Sequence, residues 1–264
     1  MALISHEVPL ALLEESKKFN DYHYCLPHLL ENDVYYRFFK DASERGDFII
    51  CDNGLFEGIS HTEEDLIDKI NDIKPNIFIV PDAWNDPHIT LQNARRWASY
   101  YIDSIPSSTK LMAVVQAKTM SDAMIVYDKL IGLGFKHIAL NHAGQFYKDL
   151  NPYQNELMSL MTGRIKFVNM LPSLKLFSRD IHHHLLGATL PNEFSFYKGE
   201  EYNFIKTIDT SNPIIYGLKH GKYPDTVLLD KPKEKLEVYF NEIINPQQLS
   251  DVLYNVKYFK TLLS

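Results

Sequence analysis

Four polar residues in this chain each follow directly on a short apolar run. Phe48-Ile49-Ile50-Cys51 leads into Asp52-Asn53-Gly54, and Ile77-Phe78-Ile79-Val80 leads into Pro81-Asp82. Met112-Ala113-Val114-Val115 leads into Gln116, and Phe204-Ile205-Lys206-Thr207-Ile208 leads into Asp209. Two carboxylates suit glycosidic chemistry, one attacking the anomeric carbon and the other handling the proton of the leaving group. A third carboxylate can accept from the N–H groups of a heterocycle, and a carboxamide can both accept and donate along a base edge. Each of these residues taken alone would also serve as a helix cap or a turn former. Capping alone, however, would admit Ser, Thr or Gly equally well, and three aspartates and a glutamine at the same end of successive runs point to a site. Other chemistry is poorly supplied. In His182-His183-His184 at most two rings can share one face of a strand, and no carboxylate or cysteine flanks the run at ligand spacing. Gly132-Leu133-Gly134 is a helix stop and not a dinucleotide fingerprint. No metal and no cofactor is expected.

The elements that must hold these residues alternate between short strands and longer segments of helical spacing, the pattern of a parallel sheet wrapped by helices. The expected strands are Tyr22 to Leu26, Phe48 to Cys51, Ile77 to Val80, Leu111 to Val115, His137 to Leu140, His183 to Leu186 and Phe204 to Ile208, with an eighth after Asp225. Thr62-Glu63-Glu64-Asp65 opens a helix with a capping threonine and acids in its first turn. Ser121-Asp122 opens another, and Asn245-Pro246 a terminal amphipathic helix that is expected to close the barrel. Gly163 to Leu171 fits a strand or a helix, with Ile165, Val168 and Leu171 favouring the helix. No linker, repeat or low-complexity tract divides the chain. The expected fold is α/β, a (β/α)8 TIM barrel formed as one domain over residues 1–264, with its chemistry at the C-terminal ends of the strands.

Composition narrows the classes. Of the 264 residues, 45% are hydrophobic and 23% charged, as in a globular protein with a sizeable core. The net charge of −7 and a pI near 5.9 disfavour long-range attraction to a polyanion, so any nucleic-acid contact must rest on a local patch. Lys17-Lys18, Arg95-Arg96, Lys219 to Lys222 and Lys231/Lys233/Lys235 are the candidates, although such runs are usually solvated faces. Cys25 and Cys51 lie outside any CxxC spacing and fit buried apolar positions. The N-terminus has no basic region followed by a long apolar run, and no stretch reaches the roughly 18 apolar residues of a membrane span, so a soluble, cytoplasmic protein is expected.

From about residue 22 to residue 217 the order of short motifs resembles the tRNA-guanine transglycosylase superfamily, and more closely its shorter branch of phage and bacterial enzymes that place 7-deazaguanines into DNA. Asp52-Asn53-Gly54-Leu55-Phe56-Glu57-Gly58 resembles the family's Asp-Ser-Gly-Gly-Phe-Gln segment, which implies that Asp52 is a general acid/base and that Phe56 lies beside the base. Pro81-Asp82-Ala83-Trp84 and Ala113-Val114-Val115-Gln116 are similar to the segments that read the guanine-like ring, which makes Asp82 and Gln116 base-recognition residues. The resemblance implies backbone contacts to the base at Ala139 and Leu140. His184-Leu185-Leu186-Gly187 is similar to the family's Tyr-Leu-Met-Gly segment and implies Leu186 and Gly187 as a platform under the ring. Ile208-Asp209-Thr210-Ser211-Asn212-Pro213 resembles the nucleophile segment, which implies attack by Asp209 on C1′ of the sugar.

Two departures bear on the substrate. The chain has no cysteine after Cys51, so the C-terminal Cys/His zinc site of the family's RNA enzymes is missing, and no arginine follows Asp209 within Asn212 to Gly217. Both favour DNA over tRNA. The resemblance thus implies a pentosyltransferase that exchanges guanine in DNA for a 7-deazaguanine such as preQ0 through an aspartyl-sugar intermediate, with action in the cytoplasm, including a host cytoplasm if phage-encoded. Phe56, Trp84 and Leu186 would hold a flipped base. The alternatives are the same exchange on tRNA and a non-catalytic nucleic-acid-binding paralogue that supports an active partner, against which the presence of both Asp52 and Asp209 argues.

Overall fold

Eight short apolar segments are too brief for stable helices, yet each is flanked by a long amphipathic one, and the chain resolves this by pairing them side by side. The computed structural model describes residues 2–55, 58–149, 155–224, 226, 228–231 and 236–263. Its strands are β1 (Leu3–Ser5), β2 (His23–Cys25), β3 (Ile49–Cys51), β4 (Ile77–Ile79), β5 (Lys110–Val115), β6 (His137–Leu140), β7 (His182–Leu185) and β8 (Ile205–Asp209). All neighbouring pairs are parallel, in the order β1-β8-β7-β6-β5-β4-β3-β2. Between β1 and β2 the sheet is bridged by Asp21, whose N–H donates to the Ile4 carbonyl at 2.8 Å and whose carboxylate accepts from the Ile4 N–H at 2.9 Å. The result is a nearly closed (β/α)8 barrel. No helix among the described residues is long and apolar enough to cross a membrane.

The helices are α1 (Leu13–Ser16), α2 (Asp33–Arg45), α3 (Glu63–Ile73), α4 (Pro87–Arg96), α5 (Met120–Gly132), α6 (Phe146–Asp149), α7 (Glu156–Met170), α8 (Asn212–Lys219) and α9 (Pro246–Leu262). Their starts follow local chemistry. The side chains of Asn32, Thr62, Asp86 and Asn245 each accept a first-turn N–H, and Pro87 and Pro246 sit where a missing N–H costs nothing. Thr119, rather than Ser121, caps α5, because its hydroxyl reaches the Asp122 N–H. Gly163 to Leu171 is helical, as favoured, within α7 and the turn after it.

Period-two alternation splits each strand between two cores. Tyr22, Tyr24, Ile50, Ile77, Ile79, Met112, Val114 and Ala139 fill the barrel interior, while Cys25, Cys51, Phe78, Ala113, Val115, Ile138, Leu140, Leu185 and Ile208 pack outward against the helices. Cys25 and Cys51, which are register partners, are buried free thiols on that outer face.

Three expectations are corrected. The eighth strand does not follow Asp225; it is β1, paired to β8 with Ser5 opposite Asp209. Three residues with a single buried apolar side chain, Ile4, give no readable alternation, whereas the described residues from 226 to 245 form loop and a short turn at Leu236–Tyr239. Closure is therefore made by the first strand, and α9 instead lies flat on α8. A Cβ on Gly217 would meet Val252 Cα at 2.7 Å, so the two helices touch backbone to backbone. Finally, β7 begins at His182, one residue earlier than expected, with a register irregularity between His183 and His184. Alternation along β7 turns His182 and His184 inward and leaves His183 facing out, where its ring bonds Tyr127 Oη at 2.8 Å.

Candidate active site

The barrel interior is largely apolar apart from His182, His184 and Thr207, and at the C-terminal rim the same alternation brings Asp52, Gln116, Asn141, Leu186 and Asp209 around one cavity of about 250 Å³. Asp82, Trp84, Lys231 and Glu7 are among the other residues of its wall. The two candidate catalytic aspartates therefore face a shared space from β3 and β8. Both are nearly buried, at 8% exposure for Asp52 and 4% for Asp209.

Their surroundings differ. Asp209 Oδ1 lies 2.9 Å from His184 Nε2 and accepts from the Gly187 N–H at 3.2 Å, while Oδ2 has only a longer contact to that N–H, at 3.3 Å. Among the described residues no cationic side chain pairs with Asp52. Burial pushes its carboxyl up to about 7; the Asn53 N–H opposes the rise, and the charges of Asp209 and Asp82 add to it. The Tyr24 hydroxyl bonds Asp52, and the Tyr24 ring stacks on His184 at 5.9 Å between centroids, so one aromatic side chain buttresses both acidic groups. Two carboxyls across a cavity, one with its charge stabilised by donors and one biased toward the protonated form, are suited to different jobs in one reaction.

Asp82 and Gln116 form a unit of their own. Asp82 Oδ1 accepts from Asn53 Nδ2 at 2.8 Å, and Oδ2 accepts from Gln116 Nε2 at 2.7 Å. Asn53 is itself fixed by the Val80 carbonyl and the Leu55 N–H, and Gln116 Oε1 accepts from the Asn85 N–H at 3.2 Å. The Asp82 carboxylate also accepts from its own backbone N–H, and Gln116 Nε2 retains one hydrogen, so carboxylate acceptors stand beside an amide donor. Burial raises the Asp82 carboxyl, and the two amides partly offset that.

The structure places the remaining candidates unevenly. Leu186 and Gly187 line the cavity. Ala139 is buried below it in the barrel interior, and the Leu140 side chain points outward into the helix-packed core; neither lines the cavity. The Leu140 carbonyl already accepts from the Leu186 N–H at 3.0 Å. Phe56 lies outside the described residues, as do Lys233 and Lys235. Trp84, 43% exposed, stands at the cavity wall. Among the described residues no group of three or more His, Cys, Asp or Glu side chains is arranged to hold a metal ion.

No protein-family model and no curated protein matches this sequence.

Several site residues were not singled out from the sequence. Asn141 obeys the same rule as Gln116, a carboxamide directly after an apolar strand, and that rule applied to β6 would have found it. Arg164, wholly buried on α7, pairs with Glu193 through Nε and Nη2 at 2.6 and 2.9 Å and donates to the carbonyls of Leu186 at 2.8 Å and Gly187 at 2.9 Å. It thereby grips the loop whose N–H reaches Asp209. Gly187 is obligatory in that loop: its φ is +62°, and a Cβ would lie 2.5 Å from His142 Nδ1.

Proposed function

We propose that this chain is a base-exchanging transglycosylase of the tRNA-guanine transglycosylase type, which replaces guanine in DNA with a 7-deazaguanine such as preQ0. The observation that carries it is the pair Asp52 and Asp209 lining one cavity, with Asp82 and Gln116 following β4 and β5 between their strands. Guanine presents N1–H and N2–H donors next to the O6 acceptor, which complements two acceptors on Asp82 and one donor on Gln116. Leu186 supplies apolar surface under the ring.

In the first step Asp209 Oδ2, the less engaged oxygen, bonds to C1′ while the C1′–N9 bond breaks, and Asp52 gives its proton to the departing guanine. In the second, N9 of the incoming deazaguanine bonds to C1′, its proton passes to Asp52, and the Asp209 carboxylate leaves. Two inversions retain configuration. A base within a duplex must first be flipped out, at a cost of a few kcal/mol. Lys231 is the cation on the cavity wall suited to a backbone phosphate, and burial near Arg164 lowers its ammonium pKa. DNA is favoured over tRNA by the lack of cysteine after Cys51 and of arginine between Asn212 and Gly217.

The test is incubation of the protein with guanine-containing DNA and labelled preQ0. Label should enter DNA and not tRNA, and Asp209→Ala and Asp52→Ala should each lower the rate at least a hundredfold. Uptake by both variants at the parental rate would reject these roles; uptake into tRNA alone would change the substrate. Activity seen only after adding a second protein would favour a supporting paralogue.

A further inference from the structure

We propose that His184 is a positioning residue that orients Asp209 as an ionised nucleophile, with its own ring tautomer locked by Thr207 and His182 in the barrel interior. The inference rests on the base-exchange reading for its kinetic meaning and on four hydrogen bonds for its geometry. His184 Nε2 meets Asp209 Oδ1 at 2.9 Å, and His184 Nδ1 meets Thr207 Oγ1 at 2.8 Å. The same hydroxyl oxygen meets His182 Nε2 at 2.6 Å, and the Gly187 N–H supplies the second donor to the Asp209 carboxylate.

Proton inventory decides the direction of this chain. A hydroxyl has one hydrogen, so between two ring nitrogens Thr207 donates to one and accepts from the other. With Asp209 ionised, His184 must present Nε2–H to it. A neutral ring then leaves Nδ1 bare, which takes the Thr207 hydrogen, and His182 Nε2–H fills the remaining place on the hydroxyl. Every donor has an acceptor, and no group in the chain needs a charge except Asp209. Burial lowers the basicity of His182 to about 3, with the neighbouring histidines adding to the effect, so a neutral His182 agrees with this arrangement. His184 is wholly buried and stacked on Tyr24, so its ring cannot swing away. The opposite polarity would place a proton on Asp209, whose carboxyl would then donate to His184 Nε2 and meet C1′ without its negative charge. His182 and His184, two residues apart on β7, share the inward face and both reach the Thr207 hydroxyl on β8.

The chain makes the orientation of the carboxylate a property of three strand residues. Oδ1 is engaged by His184 and the Gly187 N–H, whereas Oδ2 has only the longer contact to that N–H and is the oxygen proposed to bond C1′.

The test is nitrogen-15 NMR of histidine-labelled protein without ligand, with His184→Gln used to assign the ring, followed by single-turnover kinetics. His184 should carry its hydrogen on Nε2 and none on Nδ1. His184→Leu should lower kcat about a hundredfold with KM changed less than about threefold, and His184→Gln, whose amide can still donate to Asp209, should recover most of that loss. A purely structural role would not produce a rescue that follows the donor. A ring protonated on Nδ1, or a His184→Leu variant with the parental kcat, would overturn the proposal. If the wild-type protein exchanges no base at all, the base-exchange reading falls, and the ring-proton assignment alone decides whether His184 holds Asp209.

Discussion

At the residue scale, the division of labour between two aspartates comes from their neighbours. Asp209 is surrounded by donors, whereas Asp52 is buried with two other acids nearby and keeps its proton up to about pH 7. A carboxyl whose folded pKa is raised binds more protons folded than unfolded between about 4 and about 7. Stability is therefore lost as pH rises through that window and stays lower above it. Asp52→Asn removes the loss, and thermal melts should find the variant more stable than the parent at pH 8 by on the order of 2–4 kcal/mol, with the gap closing at pH 4. A gap independent of pH would show that the charge is not disfavoured by its surroundings. The same titration should appear in catalysis, because the first step needs the proton: release of guanine should slow as pH rises through about 7. Asp52, Asp82, Gln116 and Asp209 were legible in the sequence because each directly follows an apolar strand. His184 and Arg164 were not, because their significance lies in partners far along the chain, Asp209 and Thr207 for one and Glu193 and the Gly187 loop for the other.

At the element scale, the loop after β7 is the least self-sufficient part of the site, since Gly187 adopts a left-handed conformation and depends on α7 for its hold. Arg164 fixes that loop through two carbonyls while Glu193 neutralises it, and Tyr197 Oη donates to Glu193 at 2.7 Å. Removing one member of a buried pair strands the other, so Arg164→Met should cost about 3–5 kcal/mol in denaturant unfolding. Exchanging both, with Arg164→Met and Glu193→Leu, should recover much of that stability yet leave base exchange impaired, because the loop carbonyls lose their donors. Full activity in the double variant would mean that the pair does not position the loop. β2 to β8 were legible as apolar runs between helical segments, the three-residue β2, β3 and β4 included, as was the helix over Gly163 to Leu171. β1 was not, since its identity as a strand depends on β8 being next to it. The cap of α5 was misplaced by two residues because Thr119 and Ser121 are equally good cap formers, and only the geometry at the Asp122 N–H separates them.

At the scale of the whole molecule, the barrel collects strand ends that are scattered over some 160 residues of chain into one mouth, and this is why the fold was more legible than its closure. Parallel strands with intervening helices leave few topologies, but which segment fills the last gap is a matter of long-range pairing. The net charge of −7 gives no general attraction to DNA, so recognition falls to the cavity and its wall, where Lys231 stands near acidic groups. The central claim concerns a bond that only this convergence allows, between Asp209 and C1′. Intact-protein mass spectrometry after acid quenching, with guanine-containing DNA present and no incoming base, tests it most directly. A DNA-sized adduct should appear on the parent, map to Asp209 after digestion, and be absent from Asp209→Asn. Base exchange that proceeds with no adduct, or an adduct on any other residue, would contradict the account.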